Sequence, residues 1–383
     1  MPTLFPNRIL KRIFVLSIAF FLTQIHPALP QSAAATPEET WEKKHADEAI
    51  LVLEYSIALR LNKDFSYSET VHTRERIQNE AGMSEGEQVI TYNSRHDKVR
   101  FIKARLILPE GKSYPPKMVQ DVDTAQDGDY SDVRQKVITM PNVVVGSIID
   151  IEYEIFHKQG PLKGHFFAGM PINSTQPIKH AFCQLTVPDS IKLYIKKLNT
   201  NQDPVITSAK GQTTYFWESK LDNDYDENWD QENFTPPYID AQPYISISTL
   251  KDWDAFADIY AGLFGHAIVT SPAIKKTVES IVKDKRTDIE KIEAIHKYLY
   301  KNFRYVAVNL NNHDFIPHSA VEVFQNKFGD CKDQSILFIT MLKEAGIKAY
   351  PVLIRKEGPG DFRKLLDQAF AGWFSGLKAG AKV

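Results

Sequence analysis

Between Ala49 and about Lys220, apolar and polar residues alternate with a period near two. The clearest runs are ILVLEYSIALRL (Ile50–Leu61), KVRFIKARLILPEG (Lys98–Gly111), VRQKVITM (Val133–Met140) and VGSIIDIEYEIF (Val145–Phe156). CQLTVPDSIKLYIKK (Cys183–Lys197) and TTYFWES (Thr213–Ser219) complete the set. Alternation sends successive side chains to opposite faces of a strand, and β-branched and aromatic residues suit that half-buried surface. Gly, Pro, Asp and Asn bound the runs, as turns require. Repeated short strands of this kind predict an antiparallel, sandwich-like β domain over residues 36–220. Within it, Cys183 shares one strand face with Leu185 and Val187, which reads as a buried apolar cysteine.

The pattern then breaks. Residues 221–244 are acidic and afterwards proline-rich, and read as a linker. Asp222, Asp224 and Asp226 begin like a calcium loop, but Glu227 stands where glycine is needed and Asn233 where glutamate is needed. From Ile245 the period becomes helical. Trp253, Phe256, Ile259, Tyr260 and Leu263 share one face, and Ser271-Pro272 marks a helix start. Ile289, Ile292, Ile295 and Leu299 form the stripe of a further helix, opened by a Thr287/Glu290 capping box. A strand is predicted over Phe303–Val308, a helix from Cys331 to a stop at Gly346, and a strand over Ile347–Ile354. The fold class is therefore α+β: a β-rich domain, then a helical domain with strands at residues 245–357, then an atypical tail at 358–383.

Ahead of all this, Arg8, Lys11 and Arg12 precede an apolar run from Ile13 to Leu22. Pro27, Pro30 and the small residues Ser32 to Ala35 follow. That order predicts a signal peptide over residues 1–35, and the apolar run is short for a membrane-spanning helix. The expected location is periplasmic or secreted, with no stable membrane anchor after cleavage. The net charge of −2, from 46 basic and 48 acidic residues, gives no footprint for nucleic acid. Two cysteines, Cys183 and Cys331, are too few for a disulfide scaffold or a zinc site.

Chemistry concentrates at Gly329-Asp330-Cys331-Lys332-Asp333. Asp330 is a good N-cap and Asp333 sits where a carboxylate suits the helix dipole. Cys331 then lies in the first turn of a largely buried helix. Free amides at a helix N-terminus favour a thiolate and can donate to an oxyanion. Gly329 would allow close approach of a substrate backbone. All these features also suit an ordinary helix start.

RYVAVNLNNHDFIPHSAVEVFQNKFGDCKDQSILFITMLKEAGIKAYPVLI (Arg304–Ile354) closely resembles the core of the transglutaminase-like superfamily. The resemblance rests on the RY strand, the P-x-S-A-x-E-V turn into a helix, GDCKD, the apolar helix and AGI-x-A-x-P-V-L. The region before Leu221 is similar to a β-rich domain of unknown function that often precedes it in exported bacterial proteins. The resemblance implies a papain-like α+β fold, with Cys331 as the nucleophile of acyl transfer or amide hydrolysis through an acyl-enzyme. It implies a protein or peptide substrate and no metal or organic cofactor.

The family's base is a histidine on a strand after the cysteine, yet no histidine follows His318 here. Three explanations stand. The domain is incomplete near Gly358, which is the favoured one; or the protein is an inactive, binding-only relative; or an upstream histidine substitutes. His313 and His318 read as exposed loop residues, His296 as a surface residue and Gln325 as a solvated one. Asp330 and Asp333 read as caps, and the Ala/Gly/Lys-rich tail does not read as a strand pair. The alternative function is a non-catalytic envelope protein that binds through its β-rich domain.

Overall fold

The computed structural model describes residues 36–124, 130–160, 162–171, 176–220, 244–306, 308–309, 316–355 and 377–382. The expected signal peptide, the acidic linker, His313 and most of the tail lie outside these residues.

After a short helix α1 (Pro37–Lys44), the β-rich region runs through β1 (Ile50–Leu61), β2 (Tyr67–Ile77), β3 (Glu87–Asn93), β4 (Asp97–Ile107), β5 (Ser113–Tyr114), β6 (Met118–Asp123) and β7 (Tyr130–Ser131). It continues with β8 (Val133–Thr139), β9 (Ile148–His157), β10 (Phe167–Pro171), β11 (His180–Pro188), β12 (Tyr194–Leu198), β13 (Val205–Ala209), β14 (Gln212–Lys220) and β15 (Tyr244–Ser248). Among the described residues an eight-stranded sheet has the order β13-β14-β11-β1-β2-β9-β4-β5, and two three-stranded sheets are β10-β15-β12 and β3-β8-β6.

Within these three sheets the strands pair antiparallel except for β1 and β11, which run parallel. The run Cys183–Lys197 is two strands, because the chain turns after Pro188 and β12 joins another sheet. Its period-two pattern continues across that turn, which is why the sequence reads as one strand.

Alternation does what the pattern predicts. Tyr55, Ile57 and Leu59 of β1, Ile149, Ile151 and Ile155 of β9, and Leu185 of β11 enter one buried cluster. Ile90, Ile138, Met170, Ile245 and Ile247 from the two smaller sheets enter the same cluster. Cys183 is buried there, and burial pushes its thiol up to about 12. The opposite face of the large sheet carries a charge ladder. Asp150, nearly inaccessible, accepts from His72 Nε2 at 2.9 Å and from Arg105 Nε at 2.9 Å.

The second region is built from α2 (Trp253–Ala267), α3 (Pro272–Val282), α4 (Asp288–Asn302), α5 (Ala320–Asn326) and α6 (Cys331–Glu344). Ser271, Thr287 and Asp330 cap their helices as the sequence predicts, with the Thr287/Glu290 box closed; the structure adds Asp252 as the cap of α2 and a second capping box between Asp330 and Asp333. Gly346 follows α6 with φ +81°, the left-handed conformation that favours glycine at a helix end. Ile336, Leu337, Met341 and Leu342 of α6 pack with Ile274, Val278, Ile295, Leu299 and Val323. Ile289 departs from its predicted stripe and is 68% exposed, since it sits in the first turn of α4, past the packed face.

Short strands β16 (Arg304–Tyr305) and β18 (Phe328–Gly329) pair in parallel, and β17 (Val308–Asn309) pairs with β7 of the β-rich region. β19 (Tyr350–Arg355) pairs antiparallel with β20 (Leu377–Lys382). This corrects the reading of the tail. Its last residues do form a strand, because ladder hydrogen bonds come from the backbone and Ala/Gly/Lys residues give no alternation to read.

Candidate active site

Cys331 is the first residue of α6, partly accessible, and neither it nor Cys183 is in a disulfide. Its surroundings are set by the residues on either side. Asp330 Oδ1 accepts from the amides of Lys332 at 3.0 Å and Asp333 at 3.2 Å. Asp330 Oδ2 pairs with the ammonium of Lys332, and both side chains are buried. Burial raises the Asp330 carboxyl, with Lys332 opposing and Asp333 adding to the rise. Asp330 is the N-cap the sequence predicts, and by capping it satisfies two of the first-turn amides that an anion could otherwise use.

The amide of Cys331 itself has another neighbour. The Tyr305 hydroxyl feels both the Cys331 thiol, which raises its pKa, and the Cys331 backbone, which lowers it. Strand pairing brings it there: Tyr305 sits opposite Gly329, and Val306 N donates to Gly329 O at 3.2 Å. The Tyr305 pKa is pushed up to about 12, first by burial of its hydroxyl end, then by the nearby Cys331 and Asp330. Tyr260 of α2 is raised by burial first and by the charges of Cys331 and Asp330 after it. The RY strand was visible in the sequence. Nothing in it announced that Tyr305 comes under the influence of Cys331, because that depends on parallel pairing across 24 residues.

On the other side of the turn lies Asp333, 1% exposed. Its Oδ1 accepts from the His318 amide at 2.8 Å and its Oδ2 faces His318 Nδ1 at 3.0 Å. The Asp330 amide also points at Oδ2, at 3.4 Å. His318 is therefore no ordinary exposed loop histidine: its side chain is 25% exposed and pinned to a carboxylate. The hydrogen bond to Asp333 raises its pKa, against the lowering effect of burial. Asp333 is lowered overall, because His318 and Lys332 outweigh its burial. Asp333 is thus both a cap, as predicted, and half of an ion pair.

His318 does not become the missing base by this contact. At 3.6 residues per turn, residues 331 and 333 project about 160° apart around the helix. The side chain that holds His318 points away from the face that carries Cys331. Gly329 is tied to the same carboxylate: a Cβ there would stand 2.6 Å from the Cβ of Asp333. Its absence of a side chain thus serves the protein's own turn.

The remaining predicted residues are placed plainly. Gln325 is exposed on α5, and His296 is exposed on α4 with its ring in a T-shaped pair with Phe338. Gln334, not singled out from sequence, donates to Gly329 O at 3.1 Å and steadies the same turn. Lys327, in the left-handed region at φ 60°, lays its ammonium 3.8 Å from the Phe324 ring centre. Among the described residues no group of His, Cys, Asp and Glu is arranged to hold a metal ion.

Residues 275–375 match the family described as the transglutaminase-like superfamily. The chain carries a transglutaminase-like domain. Residues 63–221 match the Domain of Unknown Function DUF3857, so the two domains follow one another as the sequence suggested. A crystal structure of a candidate protease from Parabacteroides distasonis ATCC 8503 has the same two-domain arrangement, with a TM-score of 0.67 at 16% identity. It aligns over 87% of this chain, which spans 64% of that protein's length; the likeness speaks for the fold. An M1 zinc metallopeptidase from Deinococcus radiodurans aligns over 52% of this chain and 42% of its own at 12% identity, with a TM-score of 0.28 that carries no argument. No curated protein matches the chain. The transglutaminase-like domain supports hydrolase or acyltransferase chemistry.

Proposed function

We propose that the protein is an exported cysteine acyltransferase or amide hydrolase acting on a protein or peptide, with Cys331 as nucleophile. The observation that carries this is the placement of a partly accessible thiol at the first residue of α6, inside the transglutaminase-like match. Attack of the Cys331 sulfur on a carboxamide carbon would expel ammonia or an amine and leave a thioester. Water or a second amine would then release the acyl group. The oxyanion would find the Cys331 amide close by, with the Tyr305 hydroxyl beside it.

A second reading has a specific observation behind it. Among the described residues His318 is held by Asp333, on the far side of the helix turn from Cys331. With its imidazole engaged there, the protein would act by binding, through the DUF3857 domain, or would acylate slowly. The test is turnover of a glutamine-amide or peptide substrate by wild type and by Cys331→Ala, together with iodoacetamide alkylation of Cys331. Turnover lost in the variant supports the enzyme. Alkylation at the rate of a free thiol with no turnover supports the binding protein. Export is tested by fusing residues 1–35 to a reporter and asking whether the fusion is processed and leaves the cytoplasm.

A further inference from the structure

We propose that His318 is a positioning residue for Cys331, acting through the Asp333 carboxylate beneath the first turn of α6. The inference rests on the reading of Cys331 as a nucleophile. Its observations are separate from that reading. Asp333 is buried to 1% exposure and its two oxygens are filled by His318 and by the Asp330 amide. The Asp330 amide immediately precedes Cys331 in the chain, and Gly329 packs on the Asp333 side chain with no room for a Cβ. One carboxylate thus fixes the backbone on which the thiol is mounted. His318 supplies its only imidazole among the described residues, and donates from both backbone and ring.

A buried carboxylate under a thiolate site has an electrical consequence as well as a geometric one. The Asp330–Lys332 pair balances itself, one carboxylate against one ammonium. Asp333 is balanced by His318 only while the imidazole is protonated. Among the described residues the charged groups facing His318 are Asp333 and Lys332 of α6 and Glu322 of α5. Loss of the imidazole proton leaves a net negative charge two residues from the sulfur, where it opposes the thiolate and the developing oxyanion alike. His318 thereby sets the alkaline limit of the site without touching the substrate.

The probe is a peptide aldehyde, to which the Cys331 thiol adds. The S–C bond forms, the carbonyl π bond breaks, its electron pair stays on the oxygen as an oxyanion and the thiol proton passes to solvent, so the adduct carries the charge of the oxyanion without any turnover. Affinity is measured from about pH 6 to pH 9 for the full chain, His318→Asn, His318→Ala and Cys331→Ala. The wild-type affinity is expected to fall about tenfold as the pH passes the His318 transition, which lies above 6.5. His318→Asn retains a donor for Asp333 but no charge, so it should fold normally and lose that inflection. His318→Ala should bind about tenfold or more weakly at every pH. A His318→Asn variant that keeps the wild-type inflection overturns the proposal, and the wild-type profile alone overturns it if no inflection is present. An aldehyde that binds Cys331→Ala as well as wild type defeats the nucleophile itself, and the inference with it.

Discussion

Glu75 offers the sharpest test of the physical reasoning about the β-rich region. It lies on β2, 1% exposed, on the face that enters the core. Its one side-chain donor among the described hydrogen bonds is Gln88 Nε2, at 3.1 Å. Burial comes first in raising its pKa from 4.5 to about 7, and nearby Glu85 adds to the rise while Gln88 opposes it. The sign follows from linkage. Folding takes up a proton between those values, so stability is undiminished below 4.5 and falls as the pH rises towards 7. A change of that size corresponds to about 3 kcal/mol at mildly alkaline pH. Glu75→Gln keeps the shape and removes the charge. It should stabilise the β-rich region by about 3 kcal/mol near pH 8 and by less than about 1 kcal/mol near pH 5. Urea unfolding at the two pH values, followed by tryptophan fluorescence, measures this; Trp217 is buried in the same cluster and reports directly. An equal effect at both pH values, or a loss of stability near pH 8, would refute the account of Glu75 as a buried, nearly unpaired carboxyl.

Three further outcomes follow from the same structure. His157 is buried between Asp97, 2.8 Å from Nδ1, and Glu69, 3.4 Å from Nε2. Burial opposes its charge, but Asp97 and then Glu69 raise it from 6.5 to about 9. Its contribution is therefore complete below pH 6.5 and is lost as the pH rises through 9, a change of about 3 kcal/mol; an imidazole NMR titration with a midpoint at or below 6.5 would contradict it. Gly329→Ala must displace Asp333 to relieve a 2.6 Å contact, and should cost about 2–4 kcal/mol in the α-helical region; a loss under about 0.5 kcal/mol in chemical unfolding would show that the turn yields freely. Cys183→Ala should leave iodoacetamide labelling of the native chain unchanged, since burial holds that thiol at about 12; a halved label count would show it reactive.

Local physics was legible in the amino-acid order, and for a local reason. A helix cap and its partner lie three residues apart, so Thr287 pairs with Glu290 on spacing alone, and Asp330 and Asp333 each read as first-turn carboxylates. Strand faces repeat every second residue, so the core positions of β1, β9 and β11 followed from alternation. The GDCKD resemblance carried the family because it is a contiguous block. Where alternation was weak, as in Leu377–Lys382, or continued through a turn, as after Pro188, the reading failed.

The candidate site shows the same division more clearly. The sequence alone determined that one cysteine begins a buried helix behind a capping aspartate, and that the other lies on an inward strand face. Only the tertiary structure decided what surrounds the first thiol. Tyr305 is brought beside its turn by strand pairing across 24 residues, and His318 grips Asp333 across 15. Such contacts depend on how loops return to a helix end, and no periodicity records that. The chain encodes short-range partners in its spacing; long-range partners are chosen by packing, where burial forces each polar group to find whatever lies opposite.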